Sequence, residues 1–242
     1  MTDSIFEILE NKKLARDVYC MRLSGDTSQI TRPGQFVNIK IDGLFLRRPI
    51  SVCDAGGNVL TLIYKVVGEG TRRMCEMRKG VKLSLLIGLG NGYDTSKSGD
   101  RPLLVGGGVG TPPLYLLAKK LVSEGKSPCA VIGFNTKDEV FLEKELKALG
   151  IPVRVACADG SYGERGFVTD ALPGDYTYFY ACGPEPMLRA LCDAAHTSGQ
   201  LSFEERMGCG FGACMGCSCK TKYKNKRICK DGPVLEKEEI IW

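Results

Sequence analysis

Four cysteines near the C-terminus restrict the form of this chain more tightly than any other feature. Residues 209–217 read Cys-Gly-Phe-Gly-Ala-Cys-Met-Gly-Cys, and Cys229 follows after eleven further residues. The spacing C-x4-C-x2-C, then a distant C, is the ligand spacing of a plant-type [2Fe–2S] cluster. Its first three thiolates fall on one short loop, whose glycines let the backbone wrap closely around the inorganic sulfurs. A structural zinc site is the alternative, but zinc usually takes two C-x2-C knuckles, and here only Cys214 and Cys217 form one. Cys219 is a rival ligand, because it shares a face with Cys217 if the segment is extended. Spacing favours Cys209, Cys214, Cys217 and Cys229. A cluster held by four cysteines has no open coordination position, so the task it suits is passing single electrons.

The chain has twelve cysteines in 242 residues, five of them within Cys209–Cys229. The scattered remainder and the polar, acidic N-terminus argue against a disulfide framework and against a secretory leader. No run of about 18 apolar residues is present, so no transmembrane helix is expected. Reduced thiols and a cytoplasmic location follow. With 43% hydrophobic and 25% charged residues the composition is that of a soluble globular protein, and a net charge of +5 does not by itself imply nucleic acid.

Two folding patterns precede the cysteines. Residues 1–98 read as an antiparallel β-barrel: Phe36–Ile41 alternates at period two, Val59–Val67 is rich in β-branched residues, and Gly/Pro turns separate the strands. Residues 99–200 alternate strands (103–105, 129–134, 153–156, 176–181) with helices (114–123, 139–149, 186–197), the pattern of a doubly wound α/β nucleotide-binding domain. Residues 201–242 form a small cysteine module. The expected class is therefore an α+β multi-domain chain.

Motifs fall at the joints of this pattern. Arg47-Arg-Pro-Ile-Ser51, with Ile63-Tyr64-Lys65 and Gly68-Glu-Gly-Thr71, offers a basic group, a ring to stack and a turn with free N–H groups, which together suit a phosphate and a flavin edge. An exposed basic turn is the plainer reading. Val105-Gly-Gly-Gly-Val-Gly-Thr-Pro-Pro-Leu114 lies between a strand and a helix, where glycines admit a dinucleotide and the helix start favours an anion. It departs from G-x-G-x-x-G, and a tight strand-to-helix turn is its alternative. Ala181-Cys-Gly-Pro-Glu-Pro-Met187 places Cys182 at a strand's carboxyl end, where open α/β sheets bind ligands; a buried small thiol is the alternative. Asp159-Gly-Ser161 is a weaker candidate for contacting a ribose. His196 reads as a surface residue, and Lys220–Lys230 as a solvated basic face or a partner-docking patch. No catalytic acid, base or nucleophile stands out, as suits chemistry carried by cofactors. No residue decides between NADH and NADPH.

In this order, the four N-terminal motifs resemble those of the ferredoxin–NADP reductase superfamily. Together with Glu205-Arg-Met-Gly-Cys209 and Cys229-Lys-Asp-Gly-Pro-Val-Leu235, they resemble the electron-transfer subunit of dihydroorotate dehydrogenase B along essentially the whole length. That resemblance implies an FAD site at Arg48, Pro49, Ile50 and Ser51, with Ile63, Tyr64 and Lys65 along the ribityl and ring region and Gly70 and Thr71 at the pyrophosphate. It implies a nicotinamide site at Gly106, Gly107, Gly108, Gly110 and Thr111 with Cys182, Gly183 and Pro184. It implies a [2Fe–2S] cluster on Cys209, Cys214, Cys217 and Cys229. NAD is the expected substrate, and the expected partner is an FMN-containing catalytic subunit, in a two-plus-two heterotetramer that oxidises dihydroorotate to orotate in pyrimidine biosynthesis. Electrons would pass from the partner's FMN through the cluster and FAD to NAD⁺. Other expectations are a ferredoxin-type NAD(P)H reductase, or a subunit serving a sulfite reductase, hydrogenase or transhydrogenase. The non-enzyme reading is a zinc-stabilised binding module. Cys219 and the basic run match nothing in the family pattern.

Overall fold

A computed structural model describes residues 1–242. Six strands, β1 (Thr2–Ala15), β2 (Val18–Ser24), β3 (Phe36–Ile39), β4 (Arg48–Gly56), β5 (Val59–Lys65) and β6 (Lys82–Leu89), close a barrel in the order β1-β2-β5-β4-β3-β6. Every pairing is antiparallel, including the β1–β6 closure from Thr2↔Ile87 to Glu7↔Lys82. Period-two patterning explains the curl of the sheet. In β6, Leu83, Leu85, Ile87 and Leu89 are buried and the residues between them are not. Leu83, Leu85 and Ile87 fill the interior with Phe6, Ile8, Leu23, Ile39 and Leu62, while Leu89 packs with the core of the second half.

One helix interrupts the barrel. α1 (Glu69–Glu76) begins inside the Gly68–Thr71 segment expected to be a turn. The N–H groups of its first turn lack intrahelical acceptors all the same, so the anion-binding capacity expected of a turn is retained by a helix start.

The second half forms a seven-stranded sheet in the order β10-β9-β8-β7-β11-β12-β15. Its members are β7 (Pro102–Gly107), β8 (Cys129–Phe134), β9 (Val153–Cys157), β10 (Glu164–Arg165), β11 (Tyr178–Cys182), β12 (Gly199–Ser202) and β15 (Val234–Glu236). All pairings are parallel except β12–β15. The helices are α2 (Pro112–Ser123), α3 (Glu143–Ala148) and α4 (Glu185–Ala194). Pro112 opens α2, where its missing N–H is no loss. The helix expected over 139–149 is shorter, because Leu142 adopts φ 64° and turns Phe141 edge-on against Phe134, 5.2 Å between centroids. The chain proceeds outward from β7 through β10, then returns to lay β11 on the other side of β7. The strand order therefore reverses between β7 and β11, where open α/β sheets bind ligands.

Residues 234–236 come back to the sheet as its antiparallel edge strand, so the cysteine segment is an excursion between the last two strands. It carries a small hairpin, β13 (Ser218–Lys220) with β14 (Asn225–Arg227), and the single turn α5 (Ile228–Asp231). No helix is long and apolar enough to cross a membrane.

The polar stretch 91–101 works as a strap. Asn91 Nδ2 donates to the Val234 carbonyl at 2.8 Å, and Tyr93, 2% exposed, donates its hydroxyl to the Ala181 carbonyl at 2.9 Å. Lys119 Nζ on α2 grips both carboxylate oxygens of Asp54 on β4, at 2.7 and 2.8 Å, so the barrel and the sheet are joined on two sides. Tyr93→Phe is expected to lower stability by about 1–2 kcal/mol, since it removes a buried donor while keeping the ring. A urea midpoint unchanged from the wild type would show that this bond contributes nothing.

Candidate functional site

A cleft of 350 Å³ opens where the barrel meets the sheet. Its barrel wall is Arg48, Pro49, Ile50 and Ser51 from β4, Ile63, Tyr64 and Lys65 from the end of β5, and Thr71 from α1. The Arg48 side chain lies across Gly70, where a Cβ would stand 2.0 Å from Nε; only glycine lets the guanidinium sit beside the start of α1. Thr71 Oγ1 accepts from the N–H of Val67 (3.0 Å) and of Gly68 (3.2 Å), fixing that turn. A cation beside free helix-start N–H groups is a receptor for a phosphate or pyrophosphate. Tyr64 lines the cleft but is held from behind. It is 2% exposed, stacks on Tyr19 and donates to Asn11 Oδ1 at 3.0 Å. Burial holds its hydroxyl well above the ordinary phenol range.

The opposite wall of the cleft comes from elsewhere in the chain. Val109 of the glycine loop, Cys182 and Ser202 at the ends of β11 and β12, and Phe203, Glu204, Met207 and Pro233 of the cysteine excursion complete it. Burial, with Glu204 adding to it, pushes the Cys182 thiol up to about 12, so it is a neutral wall group near pH 7.

A second cavity, of 520 Å³, crosses the carboxyl ends of the parallel strands. Gly107, Gly108 and Gly110 from the loop after β7 face Gly183 and Pro184 from the loop after β11, the two loops that flank the reversal in strand order. A Cβ on Gly110 would stand 2.2 Å from the Cys182 carbonyl oxygen, so the close approach of the two loops requires glycine. Gly106 and Thr111 lie behind the loop. A Cβ on Gly106 would meet Thr111 Oγ1 at 2.7 Å, and that hydroxyl is buried without a partner. Cys182 lines the first cleft, not this cavity. Lys65, Val109 and Glu204 line both. Glu204 is exposed at the surface, yet the two walls desolvate its carboxyl and raise it above the ordinary range.

The cysteine loop packs against the barrel on the far side of the cleft. Asn38 Nδ2 on β3 donates to the Cys209 carbonyl at 3.3 Å, and Arg227 Nη1 donates to the Gly212 carbonyl at 2.9 Å. Gly210 and Gly212, both in the left-handed region (φ 80° and 92°), bend the loop so that its N–H groups face sulfur. Cys209 Sγ accepts from Ala213 (3.2 Å), Cys214 (3.4 Å) and Phe211 (3.5 Å), while Cys214 Sγ accepts from the N–H of Cys209 at 3.4 Å. Desolvation would raise the Cys209 thiol, but these donors outweigh it and bring it down to about 6. Cys217 and Cys229 are buried, and the Cys229 N–H donates to Cys217 Sγ at 3.4 Å. Burial first, then the neighbouring Cys217, pushes Cys229 up to about 12.

The four thiols thus stand as two pairs, 209 with 214 and 217 with 229. No three His, Cys, Asp or Glu side chains gather about one point, as a single tetrahedral ion requires. Two pairs suit a two-iron unit, with two thiolates for each iron. Cys219 stands apart: it faces Lys226 across the hairpin and packs against the sheet core. The hairpin is pinned from behind by Lys226, 2.5 Å from the buried Glu239. Lys220, Lys222, Lys224 and Lys230 are exposed, as is Tyr223 at its tip. His196 is exposed beside Tyr176, away from both cavities.

Residues 204–241 match the family model for the iron–sulfur cluster binding domain of dihydroorotate dehydrogenase B. Over 248 residues the chain is 46% identical to a protein of Fusobacterium nucleatum named dihydroorotate dehydrogenase B (NAD(+)), electron transfer subunit, covering 96% of this chain and 95% of that protein. The chain belongs to the dihydroorotate dehydrogenase B electron transfer subunit family. A member from Geobacillus is 42% identical, with 97% of this chain and 96% of the relative covered. Among solved structures, a chain of the NADH-dependent reduced ferredoxin–NADP oxidoreductase described for flavin-based electron bifurcation superposes with a TM-score of 0.90 at 30% identity, covering 98% of this chain and 90% of that one. The FAD/NAD-binding domain of a Vibrio cholerae nitric oxide dioxygenase shares the fold, with a TM-score of 0.68 at 21% identity and coverage of 79% and 91%. The family domain begins at Glu204, one of the three residues that line both cavities, and takes in all four paired cysteines. Sequence motifs found the barrel wall and the glycine loops. Val109, Met207 and Pro233 sat inside motifs without being singled out, and Glu204 carried no signal, being joined to the site only by the strand order.

Proposed function

We propose that this chain carries electrons between NAD(H) and an FMN-bearing catalytic partner that oxidises dihydroorotate to orotate. The observation that carries this reading is the position of the 350 Å³ cleft. It shares Lys65, Val109 and Glu204 with the nucleotide cavity on one side, and Met207 and Pro233 flank the cysteine pairs on the other.

In this reading the cleft takes FAD. Arg48 and the α1 start hold its pyrophosphate, Ser51 and Lys65 lie along its polar edge, and Ile63, Val109 and Cys182 exclude water from the ring. Cys209 with Cys214 and Cys217 with Cys229 hold the two irons of a [2Fe–2S] cluster, and the loop N–H groups stabilise the thiolates. Gly107, Gly108, Gly110, Gly183 and Pro184 receive the nicotinamide dinucleotide. When bound, the flavin exchanges two electrons with nicotinamide and one at a time with the cluster, which is why it belongs between them. No residue here is arranged to take a proton from dihydroorotate, so that chemistry falls to the partner, and the isolated chain is a diaphorase that reduces artificial acceptors with NADH. The exposed Cys214 side of the module, beside the lysine-rich hairpin, is the face for that partner.

A UV–visible spectrum of anaerobically purified protein, with iron and acid-labile sulfide assayed on the same sample, tests the cofactor set. Flavin bands with equal iron and sulfide are expected, and zinc without flavin would overturn the reading. Copurification with an FMN-bearing chain tests the partner, against the alternative of a free-standing ferredoxin-type reductase.

A further inference from the structure

The nucleotide cavity has two unlike ends. One is shared with the flavin cleft through Lys65, Val109 and Glu204. The other lies beyond the carboxyl ends of β8 and β9 and is walled by Asn135, Glu139, Ala158 and Phe167. From β8 to β12 there are three interstrand steps, about 14 Å across the sheet. The glycine loop occupies the middle, where a diphosphate bridge is best held. A dinucleotide with its redox ring at the flavin end therefore places its second nucleoside at the far end.

Two side chains there have features the fold does not account for. Phe167 is 71% exposed, although it lines a cavity wall. Its backbone is fixed: its N–H donates to Asp170 Oδ2 at 2.7 Å, and Gly166 before it takes φ 126°, where a Cβ would meet the same oxygen at 2.4 Å. An exposed aromatic ring on a fixed backbone is a platform for a planar base. Glu139 is fixed as well. Its Oε2 accepts from Asn135 Nδ2 at 3.0 Å and Asn135 N–H at 3.4 Å, while Oε1 has no partner in the protein. A held carboxylate with a free oxygen accepts from a ribose diol and repels a phosphate placed on the same sugar. Lys65, the one cation lining the cavity, is at the opposite end. Lys137 and Arg165 are exposed nearby but do not line it, and Asp159 is engaged by Ser161 at 2.9 and 2.7 Å.

We infer that Phe167 and Glu139 form the adenosine end of the cavity, and that Glu139 is the residue that sets preference for NAD(H) over NADP(H). This inference rests on the proposal that the cavity takes a nicotinamide dinucleotide.

The test uses flavin- and cluster-loaded protein titrated with NADH, NADPH and reduced nicotinamide mononucleotide, which lacks the adenosine half. Glu139→Gln keeps an acceptor for Asn135 and removes the charge. It is expected to weaken NADH about tenfold and to narrow the NADPH/NADH ratio of Kd values by more than that, because NADPH tightens as NADH weakens. Phe167→Ala is expected to weaken both dinucleotides about tenfold. Neither variant is expected to change the Kd of the mononucleotide. An unchanged ratio in Glu139→Gln, or a loss of mononucleotide binding equal to that of NADH in Phe167→Ala, would overturn the inference while leaving the cavity assignment standing. Wild-type protein that binds none of the three ligands would overturn both.

Discussion

Cys217→Ser is expected to abolish electron transfer to the partner while NADH-to-dye reduction persists. Cys217 is 2% exposed, and its sulfur already accepts the Cys229 N–H. Serine at this position is a harder, far less acidic ligand, and the pair that would hold one iron is broken. The cluster's visible absorbance should disappear, and NAD-dependent orotate formation by the assembled complex should fall to background. The cleft proposed for FAD borrows Met207 and Pro233 from the cysteine excursion but no cysteine of it, so flavin content and dye reduction should survive. Loss of dye reduction with flavin still bound would show that the linear order of the cofactors is wrong.

The second large effect is expected at Gly110→Ala. The added Cβ would stand 2.2 Å from the Cys182 carbonyl oxygen, 2.4 Å from its carbon and 2.6 Å from the Gly183 nitrogen. All three are backbone atoms at the end of a fully buried strand that pairs on both sides, so none can rotate away as a side-chain tip would. The two loops that flank the reversal in strand order must separate. Overpacking of this kind costs about 1–3 kcal/mol, which predicts dinucleotide binding weaker by roughly 5- to 150-fold. The flavin, held chiefly by the barrel, should stay. An unchanged KM for NADH would mean that the loops are not the dinucleotide's seat. Flavin loss at the same time would mean that the loop contact also supports the cleft through Val109.

Both substitutions fall on features that are local in the sequence. The cysteine spacing is a local property: three ligands lie within nine residues, and covalent geometry alone puts them on one loop. The glycine motifs are local too, because a residue that must approach another backbone or adopt positive φ has little choice but glycine. Alternation in β6 and the strand–glycine–helix rhythm after Pro102 likewise carry their own period, so barrel and α/β sheet were both readable. The start of α1 was less so, since Gly68-Glu-Gly-Thr71 satisfies a turn and a helix N-terminus equally. The shortening of α3 was hidden because it depends on Phe141 finding Phe134 across the core.

Local residue patterns were enough to define the parts: a cluster-spaced loop, a barrel wall with Arg48 and Ser51, and two glycine loops on parallel strands. Their order in space came from long-range packing. It returned residues 234–236 to the sheet, turning the cysteine segment into an excursion that lies against the barrel. It set Glu204 and Val109 between the two cavities, and it placed Glu139 and Phe167 together at the far end. These neighbours are joined through strand order and loop packing across long stretches of chain. Contacts of that kind leave no periodicity or spacing in the sequence, because either partner is an unremarked residue in its own segment.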